Sequence, residues 1–189
     1  YPVTLRVTDS SGQSATTTLT LPVRGAVERI LDVGDSAVTL TGAWSSSTYF
    51  PGYYGSAYHH DGDTLKGSKS VTYTFSGLAS GTWSLSATWI TAALRSAATP
   101  YRAETSVGSV TYSANQLTSN GSWNPLGSVE VPADGILRVI ISNTGTTGYV
   151  TADAVRLSRT ALQDTPADRF ARWAATLPAA DRGPSASPL

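Results

Sequence analysis

Apolar and polar residues alternate with a period of two along most of this chain, the pattern of strands that bury one face and expose the other. In residues 1–23, Val3, Leu5 and Val7 share one face and Thr4, Arg6 and Thr8 the other. The turn sequence Asp9-Ser10-Ser11-Gly12 and a threonine-rich second strand follow, which predicts a β-hairpin. Pro22 to Glu28 reads as a linker. From Ile30 to Leu157, strand-like runs are separated by Gly, Asn and Pro turns at spacings of roughly 8 to 14 residues. The clearest runs are Lys69 to Phe75, where Val71, Tyr73 and Phe75 face one way, and Gly81 to Trp89, where Trp83, Leu85, Ala87 and Trp89 do. Further strands are expected at 29–33, 37–41, 102–107, 109–113, 127–131, 135–142 and 149–157. One-sided burial in every strand is the pattern of two antiparallel sheets packed face to face. The predicted fold is all-β, a jelly-roll-like antiparallel β-sandwich over residues 24–158. Beyond it the period changes to that of a helix. Asp164-Thr165-Pro166-Ala167-Asp168 supplies a cap and an acidic first turn, and Phe170, Trp173, Ala174 and Leu177 make one apolar stripe ending before Pro178. Residues 159–189 are therefore expected to be a spacer holding a short helix and a disordered tail from Gly183 to Pro188.

Composition narrows the setting. The 189 residues carry a formal net charge of zero with 14% charged side chains, so no long-range field draws the chain to nucleic acid or to an anionic membrane. No apolar run approaches the roughly 18 residues of a bilayer span, so membrane insertion is not expected. Cysteine is absent, which excludes a disulfide framework, a thiolate zinc site and a cysteine nucleophile. Lysine occurs only at Lys66 and Lys69, while serine, threonine and glycine abound, a composition that suits a bacterial extracellular or cell-surface protein. The chain begins at Tyr1 within a strand-like pattern and is expected to be part of a longer protein.

Candidate chemistry concentrates in Gly52 to Lys69, GYYGSAYHHDGDTLKGSK, which is read as a glycine-rich loop between strands. Sugar rings present apolar C–H faces that stack on phenol and indole rings, so Tyr53, Tyr54 and Tyr58 are candidates for a carbohydrate site. Trp83 and Trp89 belong instead to a strand face and are expected in the core. Trp123, in the turn Asn120 to Gly127, either offers a second sugar platform or plugs the end of the sandwich. His59 and His60 are adjacent and must diverge in extended backbone, so at most one faces a given ligand. Asp61 either accepts sugar hydroxyls or closes an Asx turn on its own backbone. Arg95 either binds hydroxyls or a uronate carboxylate bidentately, or is a solvated loop residue. Asp32, Asp35 and Asp153 offer hard oxygen ligands for a structural calcium, no other cofactor being expected. Catalysis is not expected. The G-x-S-x-G and H-E-x-x-H patterns are missing, and Asp61 and Asp63 lie too close in sequence to flank a glycosidic bond from opposite sides.

Four stretches together resemble the golvesin C-terminal-like domain, also found at the ends of xanthan-lyase-like secreted enzymes. They are Gly52 to Gly62 with Lys66 to Ser70; Thr88-Trp89 followed by Arg95 and Pro100-Tyr101; Asn115-Gln116 with Asn120 to Gly127; and Gly148 to Leu157. The resemblance implies a carbohydrate-binding β-sandwich. It brings His60, Asp61, Arg95 and Tyr101 into the ligand set with Tyr53, Tyr54, Tyr58 and Trp123. Tyr1 to Leu21 resembles the last two strands of a PKD-type, immunoglobulin-like repeat. The resulting expectation is a non-catalytic module that binds a polysaccharide, neutral or, through Arg95, acidic, and serves a catalytic domain of the same secreted bacterial chain. The alternatives are a structural spacer or protein-interaction module and, less favoured, a hydrolase domain.

Overall fold

The structure is a computed structural model that describes residues 2–20 and 27–159. The predicted C-terminal helix and tail lie outside the described residues, as does most of the predicted linker. The chain divides into two compact units, Ala26–Arg159 forming one and the N-terminal hairpin lying in the other. In the hairpin, β1 (Pro2–Thr8) pairs antiparallel with β2 (Ser14–Thr20) around the expected turn, where the Asp9 carboxylate accepts hydrogen bonds from the backbone N–H groups of Ser11 and Gln13.

The larger unit holds the strands β3 (Val27–Asp32), β4 (Val38–Thr41), β5 (Ser45–Ser47), β6 (Tyr58–His60), β7 (Ser70–Phe75) and β8 (Gly81–Ala87). It continues with β9 (Thr99–Thr105), β10 (Gly108–Ala114), β11 (Asn124–Val131), β12 (Leu137–Ser142), β13 (Thr151–Ala152) and β14 (Ala154–Arg159). Val27 and Glu28, assigned to the linker by sequence, begin β3. One sheet runs β10-β9-β12-β7-β4 and the other β11-β8-β14-β3, all neighbours antiparallel. A small third sheet, β13-β6-β5, carries part of the candidate site.

The alternation read from sequence is what builds the sandwich. Val71, Tyr73 and Phe75 of β7 sit opposite Ile141, Val139 and Leu137 of β12, and all six are buried. In the facing sheet, Leu85 and Ala87 of β8 pair with Leu157 and Val155 of β14, again buried. Trp83 and Trp89 join the same core, and each buried indole N–H finds an acceptor, the Ala79 and Thr118 carbonyls respectively. One edge of the sandwich is closed by a ring. Tyr112 on β10 reaches over β11 and donates to the Ser128 carbonyl, and only a glycine at 127 leaves room for its phenol, since a Cβ there would collide with the ring. The strand register of β11 shifts at this point, between Pro125 and Gly127.

Buried polar side chains tie the core to the loops at one end. Gln116, fully buried, accepts from the Thr151 N–H at 2.8 Å and donates to the Thr151 carbonyl and to the Tyr101 hydroxyl. Asn143, equally buried, accepts from the Gly67 and Lys69 N–H groups and donates to the Asp61 carboxylate and the Thr64 and Leu65 carbonyls. A buried amide that satisfies both ends in this way fixes the backbone on either side of it.

Candidate functional site

The stretch Gly52 to Lys69 is not loop throughout: Tyr58, His59 and His60 form β6, held between β5 and β13. Strand geometry sends the two histidines to opposite sides, as expected. His60 lies opposite Ser45 and Thr151 and lines a pocket, whereas His59 is half-buried with its Nδ1 unpartnered among the described residues. His60 Nδ1 accepts the Gly62 N–H at 3.1 Å, so the neutral ring carries its proton on Nε2. Burial, reinforced by the nearby positive charge of Arg95, lowers the His60 pKa and favours that neutral form.

Asp61 is not available to sugar hydroxyls, in contrast to its expected ligand role. It is buried, and its carboxylate accepts from Lys66 Nζ at 2.8 Å, Val150 N at 2.9 Å, Asp63 N at 3.0 Å and Asn143 Nδ2 at 3.1 Å. The bond from Asp63 is the Asx turn that was the alternative reading. Burial alone would raise its pKa, but the bonds from Lys66, the backbone and Asn143 outweigh it and hold the carboxyl below its ordinary range. Lys66 also donates to the Gly148 carbonyl at 2.6 Å, and buried Lys69 donates to the Asp61 carbonyl at 2.5 Å. Asp61 is therefore the hub of a brace behind the pocket.

The pocket has a volume of about 480 Å³. Ser47 borders it from the end of β5, Tyr49 and Phe50 from the chain that follows, Tyr58 and His60 from β6, Leu94 and Arg95 from the turn after β8, and Tyr149 from the segment before β13. Arg95 and Tyr149 are joined by a parallel β-bridge, with Tyr149 N–H donating to Leu94 O at 2.8 Å and Ser96 N–H to Tyr149 O at 2.9 Å. Gly148 allows this approach: its φ is +77°, and a Cβ there would stand 2.5 Å from the Leu94 carbonyl oxygen. The Arg95 guanidinium lies over three rings, Tyr149 at 5.4 Å, Tyr58 at 5.7 Å and Phe50 at 5.8 Å from their centroids. Arg95 is only 8% exposed, and its Nε has no hydrogen-bond partner among the described residues. It is not the solvated loop arginine of the alternative reading.

The remaining expected ligand residues fall elsewhere. Tyr101 is 0% exposed, on the inward face of β9 beside Ala103, so its ring cannot meet a sugar; this corrects its assignment to the ligand set. Tyr54 is exposed but not in the pocket, its ring set edge-on to Trp123 at 5.5 Å, and Arg156 covers Trp123 at 4.7 Å. These three make a separate surface cluster. Tyr53 is outside the pocket lining, 6.3 Å from the ring of Tyr58, which is itself only 1% exposed and so offers no face for stacking a sugar, contrary to its expected role. Sequence reasoning missed Tyr49, Phe50 and Tyr149; Tyr149 stands in the quoted Gly148 to Leu157 motif, but Tyr49, 82% exposed, and Phe50 carry no local signal beyond being adjacent aromatics.

The expected calcium set is not assembled. Asp35 Oδ2 accepts the Asp32 N–H, Asp32 Oδ1 accepts the Val33 N–H, and both Asp153 oxygens accept the Tyr54 N–H at 3.0 and 3.2 Å. Among the described residues no group of three or more His, Cys, Asp or Glu is placed to hold a metal ion. Asp153 is fully buried, and burial, with the charge of Asp32 adding to it, raises its pKa to about 7. It anchors the Tyr54 loop to the end of β13.

Comparison with known proteins places this geometry. A xanthan lyase of Bacillus sp. strain GL1 is 33% identical over 131 residues, covering 67% of this chain and 14% of that protein. The structure of a Paenibacillus xanthan lyase superposes with a TM-score of 0.66 at 34% identity, over 76% of this chain and 14% of the other. A family 35 carbohydrate-binding module from Clostridium thermocellum shares the fold, with a TM-score of 0.54 at 15% identity over 69% of this chain and 97% of the module. The chain thus spans a small part of the enzymes it matches and nearly all of the free-standing module. Residues 29–159, from the first strand of the sandwich to the last, match the model of the Golvesin C-terminal domain, and the chain belongs to that family.

Proposed function

We propose that the sandwich is a non-catalytic polysaccharide-binding module of a secreted bacterial enzyme, acting outside the cell through the pocket at Arg95. The observation that carries this reading is the pocket itself, where the aromatic rings of Tyr49, Phe50 and Tyr149 stand beside the hydrogen-bonding groups of Arg95 and His60. Apolar faces that take C–H surfaces and a few placed polar groups that take hydroxyls are what a sugar site requires. Among the described residues no carboxylate lines the pocket, and glycoside hydrolysis ordinarily needs two. The xanthan-lyase relatives support a lyase or related polysaccharide-degrading domain in the same protein, with the module holding it on the polymer and raising its local concentration.

The test is affinity gel electrophoresis of the full chain through a panel of neutral and acidic polysaccharides, followed by calorimetry on any that retard it. Retardation by at least one polymer, reduced in a folded Tyr149→Ala variant, is the expected result. Migration unchanged in every gel would overturn the reading and leave a spacer or protein-interaction role.

A further inference from the structure

We infer that the Arg95 pocket is a carboxylate site, taking the acid group of a uronic acid or other carboxylate-bearing sugar on the guanidinium while the sugar ring lies against the neighbouring aromatics. This rests on the polysaccharide-binding reading and narrows it to a ligand class.

Charge is the first ground. Among the described residues, Arg95 is the one charged side chain in the pocket lining once His60 is neutral, and none of the lining residues is an acid. An arginine cannot shed its proton, so at 8% exposure it carries a buried positive charge. Such a charge is costly without an anionic or strongly accepting partner. None is present among the described residues: no salt bridge or side-chain hydrogen bond involves Arg95, and its Nε is both buried and unpartnered. The acid nearest in sequence, Glu104, pairs with Arg102, and Asp61 is saturated by Lys66, Asn143 and two backbone N–H groups.

Geometry is the second ground. The guanidinium lies over the rings of Tyr149, Tyr58 and Phe50, 5.4 to 5.8 Å from their centroids. Such contacts take no hydrogen bond from its N–H groups, and a planar fork of donors matches the two oxygens of a carboxylate. His60 adds a donor of its own, because the bond from Gly62 N–H fixes the ring proton on Nε2. Arg95 and His60 thus both offer donors, and the hydroxyl-bearing residues of the lining, Ser47, Tyr49, Tyr58 and Tyr149, can donate to a carboxylate as well. Its volume, about 480 Å³, is that of an ordinary small-ligand pocket and suits an end or branch residue of a polymer.

Calorimetry on the full chain compares an acidic polysaccharide rich in glucuronate with the same polymer after carboxyl reduction, and with its methyl ester. The acid form should bind roughly tenfold to a hundredfold more tightly than either uncharged form, the range of a charge-assisted bond to a carboxylate. Arg95→Gln, which shortens the side chain and removes its charge, should abolish that preference. Equal affinity for the acid and reduced polymers overturns the carboxylate assignment and leaves the polysaccharide-binding reading standing, whereas no binding to any polymer removes both. A preference for sulfated over carboxylated chains also overturns it. If Arg95→Gln does not fold, the comparison of the acid, ester and reduced polymers on the wild-type chain decides alone.

Discussion

Asp153→Asn removes the more deeply buried of two carboxyls, Asp153 and Asp32, whose pKa values burial raises. Asp153 is fully buried, and its pKa stands at about 7 instead of the usual 3.8 because burial, then the charge of Asp32, disfavours the ionised form. The folded state therefore keeps this proton where the unfolded chain has released it. The sign follows: the folded state binds more protons between pH ~4 and ~7, so stability falls as pH rises through that window and is level beyond it. A rise from 3.8 to about 7 corresponds to about 4 kcal/mol at full ionisation. Asparagine keeps an oxygen for the Tyr54 N–H, carries no charge, and can donate toward Asp32. His59 and His60, whose pKa values are lowered by burial, make stability rise with pH up to about 6.5, opposite in sign, so the quantity to read is the difference between variants. Urea unfolding followed by tryptophan fluorescence at pH 5, 6, 7 and 8, at one ionic strength, measures it. Asp153→Asn should gain on the wild type steadily from pH 5 to 7, by a few kcal/mol. Parallel profiles for the two proteins would refute the argument.

Two further outcomes are expected. Gly148→Ala places a methyl 2.5 Å from the Leu94 carbonyl oxygen at a φ of +77°, which should cost about 1–3 kcal/mol in urea unfolding and weaken retention on polysaccharide by shifting the Arg95 turn. Tyr101→Phe removes only the hydroxyl that Gln116 reaches, so it should cost ~1 kcal/mol and leave retention in affinity gels unchanged; a loss of retention would restore Tyr101 to the site.

The sandwich was legible because each of its long strands repeats its pattern several times. Val71, Tyr73 and Phe75, or Trp83, Leu85 and Ala87, are enough alternations to specify a face, and the structure buries those faces. β5 and β6 were not legible, because three residues give barely one period and their stability comes from neighbours far along the chain. Tyr101 was misread for a related reason. A strand begun at Arg102 leaves Tyr101 outside it, whereas β9 starts at Thr99 and admits Pro100, which pairs with Ser113 on the β10 side, where the register with β12 runs only from Tyr101 to Glu104. Of the site, Tyr58, His60 and Arg95 were visible as chemistry. Their assembly was not, since Arg95 meets Tyr149 by a backbone bridge that no local pattern announces. Asp61 drew attention as a ligand because a carboxylate in a glycine-rich loop can either receive a substrate or organise the loop, and only its four partners distinguish the two.

Both lysines of the chain belong to the brace behind the pocket: Lys66 bridges Asp61 and the Gly148 carbonyl, and Lys69, buried, reaches the Asp61 carbonyl and Thr64. Lys66 is exposed and open to amine-reactive reagents, whereas Lys69 is buried and can be acylated only when the loop opens locally. Coupling this protein to a sensor surface or a dye through Lys69 would therefore disrupt the scaffold that presents Tyr149 and Arg95. The same slowness makes Lys69 acylation a clock for that opening, one that a sugar seated in the pocket would slow further.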